Sequence, residues 1–187
     1  MVGILEKERL VDEVDSIIRL MIDNIYKWYP VYTRSRAEKK AYQELTRKNI
    51  TAYLPVKKVL KQWSDRKKIV EEPLIKSYLF VYISAKEHAE VLMTNGIARF
   101  LYFSGQVASM PEQQIESLKL LLATDSELEV FDYDIKPGER VIIKAGPFKG
   151  MVAETVSIHN KRRLILRLEN MGFAIEINTS LAFVERV

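Results

Sequence analysis

The strongest constraint on this chain lies in residues 136–187. Pro137-Gly138-Glu139-Arg140-Val141 leads into a β-branched run, Gly146-Pro147-Phe148-Lys149-Gly150 interrupts it, and a second run follows from Met151 to Val156. That order describes two strands of a small β-barrel, entered through a turn and joined by a glycine-flanked loop. Gly146 and Gly150 permit backbone conformations that are costly for other residues. Phe148 between them is either a core plug or a stacking surface, and the plug is the preferred reading.

A chain of 187 residues with 48% hydrophobic content can bury a proper core as one domain or two small ones, and two are expected. The absence of cysteine removes disulfide frameworks, thiolate zinc sites and thiol nucleophiles. The N-terminus is acidic and amphipathic, and no run of about eighteen apolar residues occurs, which argues against secretion and membrane spanning. The cytoplasm is the expected compartment. Beneath the net charge of +4, charge is segregated: residues 1–25 carry −3, residues 26–122 carry +8, residues 123–135 carry −5 and residues 136–187 carry +4. The pattern favours polyanion contact by two basic domains with an acidic connector between them. Ordinary solvated faces are the plain alternative, since clustering in sequence is not clustering in space.

Leu5, Val11, Val14, Ile17, Ile18, Met21, Ile22 and Ile25 recur near a 3.6 period, so residues 1–25 read as an amphipathic helical extension. It packs on its own domain or, less simply, on a partner. Residues 27–33 form a short aromatic and β-branched strand in which Pro30 indicates an edge or a bulge. A helix follows, with Ser35 as cap, Glu38 completing a capping box, and Ala37, Ala41 and Leu45 along one face. Strand-like runs at 53–56 and 59–60 lead to a hairpin tip at Trp63-Ser64-Asp65, decorated by Lys57, Lys58, Lys61, Arg66, Lys67 and Lys68. Those cations either track phosphates or keep an exposed hairpin soluble. Residues 74–83 read as one long apolar strand, 85–93 as a helix and 97–103 as a final strand, and Pro111 opens a helix over 112–123. The order implies an α+β domain over residues 26–122, an antiparallel sheet flanked by helices, then an acidic linker over 123–135 and an all-β SH3-like barrel over 136–187.

Trp28-Tyr29 in the opening strand, the helix beginning near Arg36, the run Glu72-Pro73-Leu74-Ile75-Lys76-Ser77-Tyr78-Leu79-Phe80-Val81 and the glycine-flanked loop near the C-terminus together resemble a NusG-type transcription elongation factor. Such factors join an N-terminal NGN domain to a KOW domain, and the resemblance covers about residues 26–187. The Glu-Pro-Leu start, the Tyr-Leu-Phe-Val finish and the N-terminal extension look closer to specialised paralogues, RfaH and the antitermination factors of capsular polysaccharide operons. The resemblance implies an operon-specific elongation and antitermination factor for surface polysaccharide genes, whose NGN domain binds the RNA polymerase clamp region and suppresses pausing or termination.

Carried over by position, the polymerase contact falls to Tyr32, Ile75, Tyr78 and Phe80, and contact with DNA or nascent RNA falls to Arg34, Arg47, Lys48, Thr94 and Asn95. A small-subunit ribosomal protein or Rho is the expected partner of the KOW domain, whose loop is Gly146, Pro147, Phe148, Lys149 and Gly150. The chain departs from the family pattern where Ile75-Lys76-Ser77 replaces a proline-set turn and where Asn95 replaces an arginine. RfaH refolds its KOW domain as a helical hairpin; the runs 164–166 and 174–177 here read as β, and fold switching stays open. Pleating creates one conflict: Tyr78 and Phe80 share a face while Leu79 and Val81 take the other, so one set must be core. Without the family, the aromatics would be placed inside.

An enzyme is not expected. His88 and His159 are the only histidines, lie in different domains and belong to no metal-spaced cluster, so each reads as an ordinary surface residue. No phosphate loop, dinucleotide fingerprint or nucleophile elbow occurs, no cofactor is implied, and a monomer is expected. The alternative function is a ribosome-associated or RNA-binding KOW protein that acts independently of polymerase, with a steep salt dependence.

Overall fold

The computed structural model describes residues 24–62, 66–103, 105–124, 130–132, 138–158, 161–168, 171–177 and 184–187. The helical extension, save its last two positions, the hairpin tip at Trp63-Ser64-Asp65, His159 and most of the acidic connector lie outside the described residues. In chain order the first part contains β1 (Lys27–Thr33), α1 (Glu38–Arg47), β2 (Thr51–Tyr53), β3 (Val56–Gln62), β4 (Lys67–Pro73) and β5 (Tyr78–Ile83). A 3-10 turn (Ala85–Glu87), α2 (His88–Leu92), β6 (Ile97–Phe100), β7 (Tyr102–Phe103), β8 (Gln106–Val107) and α3 (Glu112–Ala123) complete it. The second part is all β: β9 (Val130–Asp132), β10 (Glu139–Ile143), β11 (Val152–Ile158), β12 (Lys161–Leu168), β13 (Phe173–Glu176) and β14 (Val184–Arg186). The expected α+β architecture, an antiparallel sheet with helices against it followed by a β unit, is what forms.

The first sheet runs β2-β5-β1-β6, with every pairing antiparallel. Pro30 lies in an internal strand rather than on an edge. The β1–β6 ladder stops at Val31 opposite Phe100, so Pro30 sits just beyond it, where its missing N–H breaks no bond to β6. The expected bulge is present two residues on, as a register shift between Tyr32 and Thr33. Leu79, Val81 and Ile83 of β5 join Tyr29 and Val31 of β1 beneath α1 and α2, packing with Ala41, Leu45 and Val91. Each fully buried side chain of this size contributes roughly 1.5–3 kcal/mol.

Local features depart from the sequence reading in four places. Ser35 does not cap α1: Arg36 takes a φ of +60°, Ala37 occupies the cap position without a side-chain bond, and Glu38 turns inward. Its buried carboxylate accepts the Ser77 amide at 2.7 Å. The long strand expected over 74–83 begins only at Tyr78, because residues 74–77 turn and Ser77 holds a φ of +63°. The strand expected over 97–103 divides at Leu101 into β6 and the two-residue β7, which pairs with β8. His88 is half-buried rather than an ordinary surface residue: its ring packs at 5.1 Å from Tyr29 and 4.8 Å from Phe100, and its buried Nε2 has no hydrogen-bond partner.

The second sheet has the order β14-β10-β11-β12-β13-β9. β9 falls inside the segment read as an acidic linker, and pairs with β13. Phe148, 1% exposed, is a plug within the core and not a stacking surface, held by a loop whose Gly146 and Gly150 both take positive φ. A bidentate pair between Arg167 and Glu154 crosses β12 and β11, and Glu154 also accepts the Gly138 amide.

Gly138 passes so close to β11 that an added Cβ would lie 2.1 Å from the Thr155 carbonyl oxygen. Gly138→Ala is therefore expected to destabilise the C-terminal sheet by about 1–3 kcal/mol, read as a lower denaturation midpoint. Burial pushes the His88 imidazole below its ordinary value of 6.5 and outweighs the Glu87 carboxylate. The unfolded chain then binds the proton more readily. The stability that neutral His88 provides is present above about pH 6.5 and is lost as pH falls through the depressed folded value. Thermal melts between about pH 7.5 and 5 should show a shallower loss of Tm in His88→Leu than in the native chain.

Candidate functional site: an aromatic face on the first sheet

Pleating sends Trp28, Pro30 and Tyr32 of β1 to the side opposite the α1 and α2 core, and register sets them against Tyr82, Phe80 and Tyr78 of β5. Tyr53 of β2 stands opposite Phe80, and Arg99 of β6 opposite Tyr32. The result is a continuous aromatic face. Tyr32 and Tyr78 meet edge-on at 5.2 Å, Tyr53 stacks on Phe80 at 6.3 Å, and Trp28 tilts against Tyr82 at 5.3 Å. The Arg99 guanidinium lies 5.6 Å from the centre of the Tyr32 ring. A cation so placed is attracted to the ring quadrupole.

This face is covered in two stages. Ile115, Leu118 and Leu121 of α3 join Trp28 and Phe80 in one buried cluster, which continues through Val141, Ile143, Leu166 and Ile175 of the second sheet. Lys119 reaches back from α3 to lie 5.7 Å from both the Trp28 and Tyr53 rings, its charge answered by Glu116 at 2.7 Å. Burial, helped by the Glu116 carboxylate, pushes the Tyr53 hydroxyl up to about 12. The second stage is Phe173 of β13, which packs edge-on against Tyr78 at 5.4 Å. A cavity of about 100 Å³ remains between α3 and the second sheet, lined by Gln113, Gln114, Ser117, Arg140, Glu154 and Arg167.

Of the residues assigned to polymerase contact, Phe80 is fully buried and Ile75 is 2% exposed in the turn before β5. Tyr32 and Tyr78 are half-buried and adjacent, and Lys76, two residues before Tyr78 in the chain, is exposed. The conflict posed by the pleat resolves without a solvent face: Leu79, Val81 and Ile83 are core beneath the helices, while Phe80 is core beneath α3 and the second sheet. Trp28, Tyr53 and Tyr82 complete the face and were not singled out for it. The alternation Trp28, Pro30, Tyr32 carried that signal, but the sequence alone did not set strand order.

The residues assigned to nucleic acid gather around α1. Arg34 follows β1 and its amide donates to the Gly96 carbonyl at 2.8 Å; Arg47 and Lys48 end α1. Thr94 is buried, accepts Lys48 Nζ at 3.0 Å and donates to the Glu90 carbonyl. Exposed Asn95 donates its amide to the Glu44 carboxylate. Arg34, Arg47 and Asn95 thus lie on the surface, and Lys48 and Thr94 bond to each other. Among the described residues no group of histidines and carboxylates could hold a metal ion, and no helix is long and apolar enough to cross a membrane.

Comparison with known proteins bears on this arrangement. Residues 26–119, half of the chain, match the family model described as transcription termination factor NusG. The chain is 25% identical over 179 residues to the transcription termination/antitermination protein NusG of Rickettsia conorii, covering 88% of this chain and 93% of that protein. It is 23% identical over 180 residues to the protein of the same name from Borreliella burgdorferi, with 86% and 98% covered. A solved structure of Thermotoga maritima NusG aligns at 19% identity with a TM-score of 0.49, covering 87% of this chain and 98% of that one. With its antiparallel sheet, its flanking helices and a family match across half its length, the chain belongs to the NusG family of transcription termination and antitermination factors.

Proposed function

We propose that the chain is an operon-specific elongation and antitermination factor that binds the clamp region of RNA polymerase through the rim of its aromatic face. The observation that carries the reading is the half-buried Tyr32–Tyr78 pair, with Arg99 over the Tyr32 ring, continuous with a buried aromatic floor. Aromatic anchors at the centre of an interface dominate its energy, at about 2 kcal/mol or more each. Phe80 and Ile75 support that floor from beneath and act by holding the two tyrosines. Arg34, Arg47 and Lys48 offer phosphate contacts that position without specifying sequence, which suits an accessory role beside polymerase. The KOW unit, with Phe148 buried, offers its loop and strands to a ribosomal protein or Rho rather than a base-stacking platform.

Operon-specific action on surface polysaccharide genes, in the cytoplasm, rests on the Glu72-Pro73-Leu74 start and the N-terminal extension, features of the specialised paralogues. Phe173 on Tyr78 adds a requirement: the second sheet and a polymerase surface compete for the same ring. Binding by the rim therefore proceeds with release of β13 from β5.

Copurification with core polymerase after nuclease treatment tests both parts. Tyr32→Ala and Tyr78→Ala are each expected to weaken retention by roughly tenfold or more in a folded protein, the equivalent of about 1.4 kcal/mol or above. Phe173→Ala is expected to strengthen it. Unchanged retention in both tyrosine variants rejects this interface, and recovery of ribosomal components alone favours a KOW protein acting apart from polymerase.

A further inference from the structure

The cavity of about 100 Å³ between α3 and the second sheet gathers positive charge that the described residues do not answer. On its sheet side stand Arg140 of β10, Glu154 of β11 and Arg167 of β12. Arg140 and Glu154 are direct partners in the β10–β11 register, so they share a face. Glu154 is nevertheless committed elsewhere. Its Oε1 accepts Arg167 Nε at 2.9 Å, and its Oε2 accepts Arg167 Nη2 at 2.9 Å and the Gly138 amide at 3.2 Å. The carboxylate is thus neutralised by one arginine. Among the described residues Arg140, exposed at the rim, forms no ion pair with it or with any other acid.

On its helix side the cavity meets the start of α3 through Pro111, Gln113, Gln114 and Ser117. Ser117 lies four residues after Gln113 and three after Gln114, so all three fall on one side of the helix. The N-terminal end of a helix carries roughly half a positive charge. Glu112, the acid of the first turn, lines the groove beside Trp28 and not this cavity. Ser117 supplies an independent sign. It is 8% exposed, and among the described residues its hydroxyl has no hydrogen-bond partner, although it sits in a polar cavity. Buried hydroxyls are in the large majority paired. Water in the cavity would satisfy the hydroxyl but would leave the charge of Arg140 and the helix end unanswered.

We infer that the cavity is a phosphate site. A phosphate group held there accepts from the Arg140 guanidinium, the Ser117 hydroxyl and the Gln113 side-chain amide, and it lies at the positive end of α3. The space suits the tetrahedral group alone. A free phosphate fits entirely, whereas a phosphate ester leaves its alcohol part outside the mouth. Because α3 belongs to the first part of the chain and β10 to the second, the bound anion joins the two. It thereby holds the second sheet over Trp28 and Phe80.

Calorimetric titration of the full chain in chloride buffer at constant ionic strength, with inorganic phosphate and separately with adenosine monophosphate, tests the site. Saturable binding of one phosphate group per chain is expected. Arg140→Gln is expected to weaken it by about tenfold or more, and Ser117→Ala severalfold. Lys40→Gln, which removes an equal charge from the exposed face of α1, leaves it unchanged. Melting profiles in chloride alone establish that each variant is folded. Added phosphate is expected to raise the Tm of the native chain and not that of Arg140→Gln. Equal affinity for the two ligands supports the site with free phosphate as its source; a nucleotide at least about tenfold tighter, with the same dependence on Arg140, supports it with an ester as the source. No saturable binding of either ligand overturns the inference. Equal losses in Arg140→Gln and Lys40→Gln also overturn it and assign phosphate to diffuse surface charge, and full affinity in both cavity variants overturns it by placing the anion elsewhere.

Discussion

Alternation along β5 sends Tyr78, Phe80 and Tyr82 to one side of the first sheet and Leu79, Val81 and Ile83 to the other, and both sides are covered. One side meets α1 and α2 through small and branched side chains; the other meets α3 and the second sheet through aromatic rings. A slip of one residue would exchange the two sets and ruin both interfaces at once. The register is pinned from outside the strand. Glu38 accepts the Ser77 amide, and the Thr33 amide donates to the Ser77 carbonyl at 2.8 Å, so the turn before β5 is tied both to the start of α1 and to the end of β1. A buried carboxylate committed to a backbone donor is costly to leave unpaired, which makes the Glu38 contact the hinge of the arrangement.

Much of this was legible in the sequence because it follows from period. The aromatic and β-branched alternation of β1, the 3.6-residue spacing on α1, the Pro111 start of α3 and the glycine-flanked loop around Phe148 are local signals, and each led to the right element. What escaped depends on distant partners. Ser35 followed by Glu38 has the spacing of a capping box, yet Glu38 found a better donor 39 residues away. The apolar run from Leu74 gave no sign of a left-handed serine at its fourth position. A capping box does form at Ser84 and Glu87, ahead of the short α2. His88 looked like a surface histidine because its aromatic neighbours, Tyr29 and Phe100, are remote in sequence. Of the functional assignments, the resemblance grouped Tyr32 with Tyr78, but their adjacency depends on the pairing of β1 with β5, which pleat alone does not set. The burial of Ile75, Phe80 and Thr94 was not legible either, since it depends on which elements cover each face.

The aromatic face has a dual character that follows from its composition. Tyrosine and tryptophan tolerate burial and solvent in turn, since one end of each ring is apolar and the other polar. A rim of tyrosines above a floor of Phe80 and Trp28 can thus exchange one covering surface for another without exposing a wholly hydrophobic patch. A covering sheet attached by a short connector acts as a tethered competitor at high effective concentration, so any external surface that takes its place must bind with a matching surplus. The short distance between Ala123 and Val130 in the chain makes this competition intramolecular from the outset.

The base of the β3–β4 hairpin has a different implication. Leu74 donates its amide to the Pro55 carbonyl at 2.8 Å, closing the neck of the arm where it leaves the sheet, and Leu54 and Leu74 are both buried there. The neck thus isolates the body of the fold from whatever lies beyond it. Lengthening a loop beyond a closed neck costs only about 0.6 kcal/mol per doubling of its length. Residues between Val56 and Pro73 can therefore be inserted, deleted or exchanged while the register of β2, β5 and β1 stays fixed, and relatives sharing this body are free to diverge in the arm first.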